Sequence, residues 1–392
     1  MYYERKIDSS LKSHLTQKQV TVLTGLRRTG KTTIVKQLLS EIKSDNKIYI
    51  DLDRIDNKNI FSENNFDNIV FALSQRRLNF KEKVYIALDE IQTMPEISTI
   101  IKYLYDNYNI KFIATGSSSF YLKNLFSESL SGRKKIFELY PLDFGEYLTF
   151  KNVNYVQNNF LNSLFITSEY DRLKKYYFDY VEYGGMPEIA LSNSTVNKKD
   201  LLNDILSSYI NIDIKTLSDL ETDRDIYNIL KMLGTRVGNK LDYMKISKLC
   251  GLSRYKLMNY LDLFEKTYII KRLPVISNKS DREISKAQKL YILDNGLANV
   301  LAELSSGAKF ENAVFNQLFH KGNLSYYSLK TGKEIDFILD KKFAFEVKET
   351  PTESDIRKLI NLSQKAKINT SRLIGKHPVP GFNNFIWAGN IR

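Results

Sequence analysis

Cysteine is almost absent from this chain: there is one, Cys250, in 392 residues. A single thiol excludes a disulfide framework and a cysteine zinc cluster and suits a reducing compartment, so a cytoplasmic location is expected. Histidine is nearly as scarce, and His14, His320 and His377 lie far apart in sequence, as ordinary core or surface residues do. No apolar run is long enough to span a bilayer, and the opening MYYERKIDSSLK has no apolar signal core, so no membrane partner is expected. Internal repeats and long low-complexity tracts are also lacking.

What the chain does have is apolar material, 43% of its residues, enough for packed cores and against wholesale disorder. Its length predicts two or three domains. A formal charge of +13 and a pI near 9.3 point to a polyanionic partner, nucleic acid ahead of an acidic membrane surface.

The most informative stretch is GLRRTGKT, comprising Gly25, Leu26, Arg27, Arg28, Thr29, Gly30, Lys31 and Thr32, with Thr33 following. It fits the phosphate-binding pattern G-x-x-x-x-G-K-[ST], between an apolar run at residues 20–23 and a helix-like run at 33–39. Gly25 and Gly30 allow a tight turn that aims backbone N–H groups at phosphate oxygens near a positive helix N-terminus. Lys31 would reach the β- and γ-phosphates of ATP, and the Thr32 hydroxyl would hold Mg²⁺.

A second strand is predicted at residues 47–52 and a third at 84–88, which runs straight into Asp89 and Glu90 about 57 residues after the phosphate loop. A strand buried on both faces delivers Asp89 to Mg²⁺ at its C-terminal end, where Glu90 can orient or deprotonate the attacking water. A fourth strand, residues 111–115, ends in Gly116 and Ser117 to Ser119. Those hydroxyls either sense the γ-phosphate or cap the next helix. Arg133 precedes a fifth strand at 135–139 and is read as an arginine finger, acting on its own site or on a neighbouring subunit's; the alternative is a solvated surface charge.

Together, GLRRTGKT, LDEIQ, ATGSS, SGR before YPLDFGEYL, and YGGMPE resemble the archaeal and bacterial AAA-type ATPases whose C-terminal half is a domain of formerly unknown function. The resemblance spans nearly the whole chain. It implies the additional-strand P-loop core, with the sensor strand inserted between the P-loop strand and the strand bearing Asp89.

Residues 151–220 read as a helical lid or connector, bent at Gly184-Gly185-Met186-Pro187. Residues 224–289 hold 15 Lys or Arg against 6 Asp or Glu, a net of +9. Within them a short helix at 244–249, a glycine turn and a longer amphipathic helix capped by Ser253 have helix-turn-helix spacing, followed by two β-rich runs flanking a charged loop. This predicts a winged helix over 221–295, touching DNA phosphates through Arg254, Lys256, Lys279 and Arg282. Such a module can instead serve only to pack against protein.

In residues 296–392, Asp336 and Glu346-Val347-Lys348 fall on a predicted hairpin, and residues 307–315 start a helix with Glu311 near its beginning. The pattern resembles the PD-(D/E)xK nuclease core, in which two carboxylates hold a metal and the lysine positions water; it departs in having no proline before Asp336. That resemblance implies Mg²⁺ or Mn²⁺ held by Asp336 and Glu346, with Glu311 and Lys348 in support. The alternative is a nuclease-like fold retained for contact, with its charges simply paired.

The expected protein is therefore α/β: an ATPase core at 1–150, a helical lid, a winged helix, and a restriction-endonuclease-like α/β domain. The expected activity is Mg²⁺-dependent ATP hydrolysis coupled to DNA-associated work, with a homo-oligomer possible in principle. The competing readings are an ATP-gated metal-dependent nuclease and a regulatory ATPase that binds only protein partners.

Overall fold

A computed structural model describes the chain apart from residues 64, 118–129, 131, 158, 215–222, 277–286, 330 and 379–384. It divides into two compact units, Met1–Tyr140 with Lys266–Tyr268, and Pro141–Glu265 with Ile269–Arg392.

The first unit is built on strands β1 (Val20–Thr24), β2 (Lys47–Asp51), β3 (Val84–Asp89), β4 (Ile110–Gly116) and β5 (Lys134–Glu138). All pair in parallel, in the order β2-β3-β4-β1-β5. β4 lies between β1 and β3, which is the additional-strand arrangement expected. Alternate residues of each strand serve opposite faces of the sheet. Val20, Val22, Ile86 and Leu88 pack with Ile97, Ile101 and Leu104 of the helix Ile97–Asn107 on one face. Leu23, Ala87 and Ile113 meet Ile34, Val35 and Leu38 of the helix Lys31–Glu41 on the other. Burial on both faces explains why β3 and β4 read as continuous apolar runs rather than alternating ones. In a parallel sheet every C-terminal strand end lies along one edge, and the ends of β1, β3 and β4 carry the phosphate loop, Asp89 and Ser117.

In the second unit, helices Thr167–Tyr183, Pro187–Leu191 and Thr195–Ser208 are followed by helices Asp223–Gly234, Tyr243–Leu249 and Arg254–Lys266. Strands β6 (Ile270–Leu273) and β7 (Lys289–Ile292) form an antiparallel pair. The glycine-rich bend is fastened by Asp294, whose carboxylate accepts from Gly185 N at 2.7 Å and from Leu297 N at 3.0 Å. Strands β8 (Leu324–Ser328), β9 (Glu334–Leu339), β10 (Phe343–Lys348), β11 (Thr370–Gly375) and β12 (Phe385–Trp387) make a mixed sheet in the order β12-β11-β10-β9-β8. Ile335, Ala344 and Leu373 pack there against Leu359 and Leu362 of the helix Glu353–Lys365. Among the described residues no helix is long and apolar enough to cross a membrane.

Candidate active site

The phosphate loop leaves β1 at Gly25, where a Cβ would lie 2.0 Å from the Leu139 carbonyl oxygen, so a larger residue cannot pass there. Arg28 (φ 64°) and Gly30 (φ 99°) both take left-handed conformations that curl the loop back to the start of the helix Lys31–Glu41. Thr29 is fully buried: its hydroxyl donates to Leu26 O at 2.8 Å, and Arg5 donates to its carbonyl at 3.1 Å. Leu26 is buried, Arg27 half-buried, and Arg28 and Thr33 exposed. The buried Lys31 ammonium donates to Gly25 O at 2.9 Å and Leu26 O at 3.0 Å, within the loop that would cradle phosphate.

Three hydroxyls converge on Asp89. Thr32 Oγ1 donates to Oδ2 at 2.8 Å, Tyr49 also donates to Oδ2, and Thr115 donates to Oδ1. Thr32 and Asp89 thus stand together as hard oxygen donors, a set that fits Mg²⁺. Burial, and then the bond to Asp89, raise the Tyr49 phenol above its usual pKa, so it stays a neutral donor.

Glu90 sits beside them in a left-handed conformation (φ 55°), its N–H 3.2 Å from Thr115 Oγ1. Burial pushes its carboxyl above the usual range, against the opposing pull of Lys31, Gln92 and Arg27. Gln92 Nε2 donates to Glu90 Oε2 and, at 3.2 Å, to Ser117 Oγ, linking the ends of β3 and β4 through one amide. Of the expected ATP-site residues, Lys31, Thr32, Asp89, Glu90 and Ser117 therefore come together. Tyr49, Gln92 and Thr115 join them without having been expected. For Thr115 the signal was present, a hydroxyl one strand position from the end of β4; for Tyr49 nothing in the local pattern distinguished it from other strand tyrosines.

Arg133 does not join the group. It pairs with Asp106 at 3.0 Å, and its carbonyl accepts Val20 N at 2.8 Å, at the N-terminal end of β1. That is the opposite edge of the sheet from Gly25, roughly 15 Å away at about 3.3 Å per strand residue. The reading of Arg133 as a finger for its own site is corrected on this ground. Ser118 and Ser119 lie outside the described residues.

In the second unit, Asp242 caps the helix Tyr243–Leu249 by accepting Lys245 N at 3.0 Å, and Ser253 caps the next by accepting Lys256 N at 3.1 Å. Arg254 and Lys256 are exposed in that helix's first turn, with Tyr255 between them and Lys245 and Lys248 exposed on the preceding helix. Other cations of the basic segment are internally paired: Lys271 with Glu265 at 3.0 Å, and Arg272 with Asp262 at 2.6 Å and Glu265 at 2.7 Å. Lys279, Arg282 and the rest of the charged loop lie outside the described residues.

The C-terminal carboxylates differ most from expectation. Asp336 and Glu311 approach one another, but Lys289 of β7 lies between them, its ammonium 2.9 Å from Glu334, 3.5 Å from Asp336 and 3.6 Å from Glu311. Lys348 pairs with Glu346 at 2.8 Å, and Val347 N donates to Asp336 at 2.9 Å. Burial, then the nearby Asp336, push Glu311 and Glu346 each up to about 7. Burial alone would lower the pKa of Lys289, but attraction to Asp336, Glu311 and Glu334 outweighs it and raises it. The residues present do not fit a divalent cation held by Asp336 and Glu346, because each already faces an ammonium, Lys289 at Asp336 and Lys348 at Glu346. Among the described residues no group of three or more metal-ligating side chains is arranged to hold a metal. Neither Lys289 nor Glu334 was expected here: one lies 47 residues before Asp336 and the other is the strand's first residue.

Comparison with known proteins agrees with the first unit and says less of the second. Residues 17–148 match an AAA domain, residues 174–308 a domain of unknown function (DUF8612), and residues 306–378 another (DUF4143). An uncharacterised protein of Haemophilus influenzae is 27% identical over 361 residues, covering 86% of this chain and 85% of the relative. One of Methanocaldococcus jannaschii is 29% identical over 373 residues, covering 90% and 80%. Among solved structures, a Walker-type ATPase of Pyrococcus abyssi aligns with TM-score 0.46 and 17% identity over 76% of this chain and 96% of that one. The first unit thus resembles an AAA domain, and the rest of the chain resembles two domains of unknown function.

Proposed function

We propose that the first unit hydrolyses ATP with Mg²⁺ and that the second couples this cycle to DNA. The observation that carries the reading is the meeting of Thr32, Asp89 and Glu90 at one sheet edge beside the phosphate loop. The loop's N–H groups and Lys31 would bind the phosphates, the lysine exchanging its carbonyl partners for phosphate oxygens. Thr32 and Asp89 would hold Mg²⁺, which when bound neutralises charge on the β- and γ-phosphates. Glu90, its pKa raised by burial, would be a stronger base toward the attacking water than an ordinary exposed carboxylate. Gln92 would fix the carboxylate's direction and tie it to Ser117, where a change in phosphate occupancy could be sensed. Any phosphate contact by Arg133 would be with another copy's site, in a homo-oligomer.

The DNA reading rests on Lys245, Lys248, Arg254 and Lys256, exposed on two consecutive capped helices in the segment with most of the excess charge. Contacts there would be mainly to phosphates and therefore salt-sensitive. The test is ATP turnover by the full chain with Mg²⁺, with and without duplex and single-stranded DNA. Stimulation by DNA is expected, and loss of it in the Arg254→Ala/Lys256→Ala variant. Turnover indifferent to DNA, together with no measurable DNA binding, would leave protein contact as the role of the second unit.

A further inference from the structure

We propose that Lys289 is a built-in cation standing where a nuclease-type metal was expected, and that the acidic cluster around it is a clamp joining the β6–β7 hairpin to the C-terminal sheet rather than a cleavage centre.

The cluster draws on separate elements. Glu311 comes from the helix Ser306–Leu318; Glu334 and Asp336 stand two apart on β9, hence on one face of the strand. Lys289 opens β7 and is 1% exposed, so its ammonium reaches these carboxylates through protein, not solvent. Lys240, bridged antiparallel to Lys289, adds a second cation from the same side, 2.8 Å from Glu334 and 2.8 Å from Ser328 Oγ. The remaining acceptor capacity is also met, by Tyr291 OH on Glu311 at 2.7 Å and Val347 N on Asp336 at 2.9 Å. On the hairpin side the wall is close: a Cβ at Gly238 (φ +74°) would lie 3.1 Å from Glu311 Oε1.

A buried ammonium with three carboxylates within 3.6 Å is a satisfied cluster. A divalent ion on the same oxygens would have to share the space with that ammonium, and like charges at such range repel strongly away from water. Counting Lys348 on Glu346, four carboxylates face three ammoniums. The clamp also has a mechanical consequence. Its two lysines, bridged to one another at the start of β7, tie that strand to β9 through ion pairs.

The experiment uses the full chain without nucleotide, so that the Thr32–Asp89 site does not contribute. Mn²⁺ binding by electron paramagnetic resonance and thermal unfolding are measured for the parent, Lys289→Met, and Lys289→Met/Glu334→Gln. The parent is expected to bind no Mn²⁺ that Asp336→Asn removes. Lys289→Met should melt roughly 10 °C lower, as expected for carboxylates left buried and unpaired. It should regain stability with Mn²⁺ through an Asp336-dependent site. The double variant should recover part of the loss without metal, and it carries the test if Lys289→Met alone does not fold. Three results would overturn the proposal: Asp336-dependent Mn²⁺ binding or DNA cleavage by the parent; parent-like melting of Lys289→Met; or a loss that neither Mn²⁺ nor Glu334→Gln repairs.

Discussion

Asp89 and Asp336 are both buried carboxylates on strands of α/β sheets, and the company each keeps is opposite in kind. Asp89 is met by the hydroxyls of Thr32, Tyr49 and Thr115, neutral donors that orient its charge without cancelling it. Asp336 is met by a backbone N–H and by the Lys289 ammonium, with Lys240 and Lys348 on the adjoining carboxylates. A carboxylate held by hydroxyls retains its charge for an arriving cation; one held by lysines has been neutralised from within. The same contrast divides the basic residues of the second unit. Arg254 and Lys256 are exposed, whereas Lys271 and Arg272 are tied to Glu265 and Asp262.

The largest expected effect breaks the first half of the comparison. Asp89→Asn should lower Mg²⁺-dependent turnover by about 10² or more, while Asp336→Asn leaves turnover of the folded protein at the parent rate. Lys31→Ala should weaken ATP binding by about 100-fold, in line with the removal of charge-assisted bonds to phosphate, as calorimetry or a fluorescent nucleotide would show.

A smaller effect concerns Gln92. Its hydrogen bond favours the charged form of Glu90, so Gln92→Ala should raise the Glu90 pKa further. The acid limb of the kcat profile should then move to higher pH, with KM for ATP little changed. A parent-like profile would reduce Gln92 to a packing contact.

For DNA, Arg254→Ala/Lys256→Ala should flatten the slope of log affinity against log salt by up to about 0.9 for each phosphate no longer neutralised, whereas Lys271→Ala should leave that slope unchanged. Equal slopes in both variants would mean that exposure and pairing do not sort these cations as argued.

A separate effect, on stability rather than turnover, lies on the sheet edge away from the phosphates. Lys111 is fully buried, donating to Gln19 O and lying 3.4 Å from His14 Nδ1, and burial lowers its pKa to about 7. Between about 7 and the unfolded value near 10.5 the folded chain binds fewer protons than the unfolded one, so stability should rise with pH across that window. Lys111→Met should remove the rise, which melting curves at about pH 7 and about pH 9.5 would show.

Much of the first unit was legible because its chemistry is local. Gly25 to Thr32 is one turn between a strand and a helix, and Asp89-Glu90 closes an unbroken apolar strand, so neighbours in sequence reveal the site. Tyr49 and Gln92 were not legible, because their roles depend on which strands lie side by side. Arg133 misled for the same reason: its position just before a strand did not reveal that the strand's start lies away from the phosphates. The C-terminal cluster shows the limit most clearly. Asp336, Glu346 and Lys348 are close in sequence and suggested a metal, but Lys289, which pairs with Asp336, arrives from a strand 47 residues upstream. A carboxylate pattern identifies acids that meet, and only the tertiary fold identifies the cation that meets them.

The most direct test of the account is ATP hydrolysis by Glu90→Gln alongside nucleotide binding. The carboxylate is predicted to accept the water's proton, so the variant should bind Mg²⁺-ATP as the parent does while kcat falls by about 10²–10⁴-fold. Turnover at the parent rate with binding intact would contradict the assignment of Glu90 and, with it, the reading of this sheet edge as the hydrolytic site.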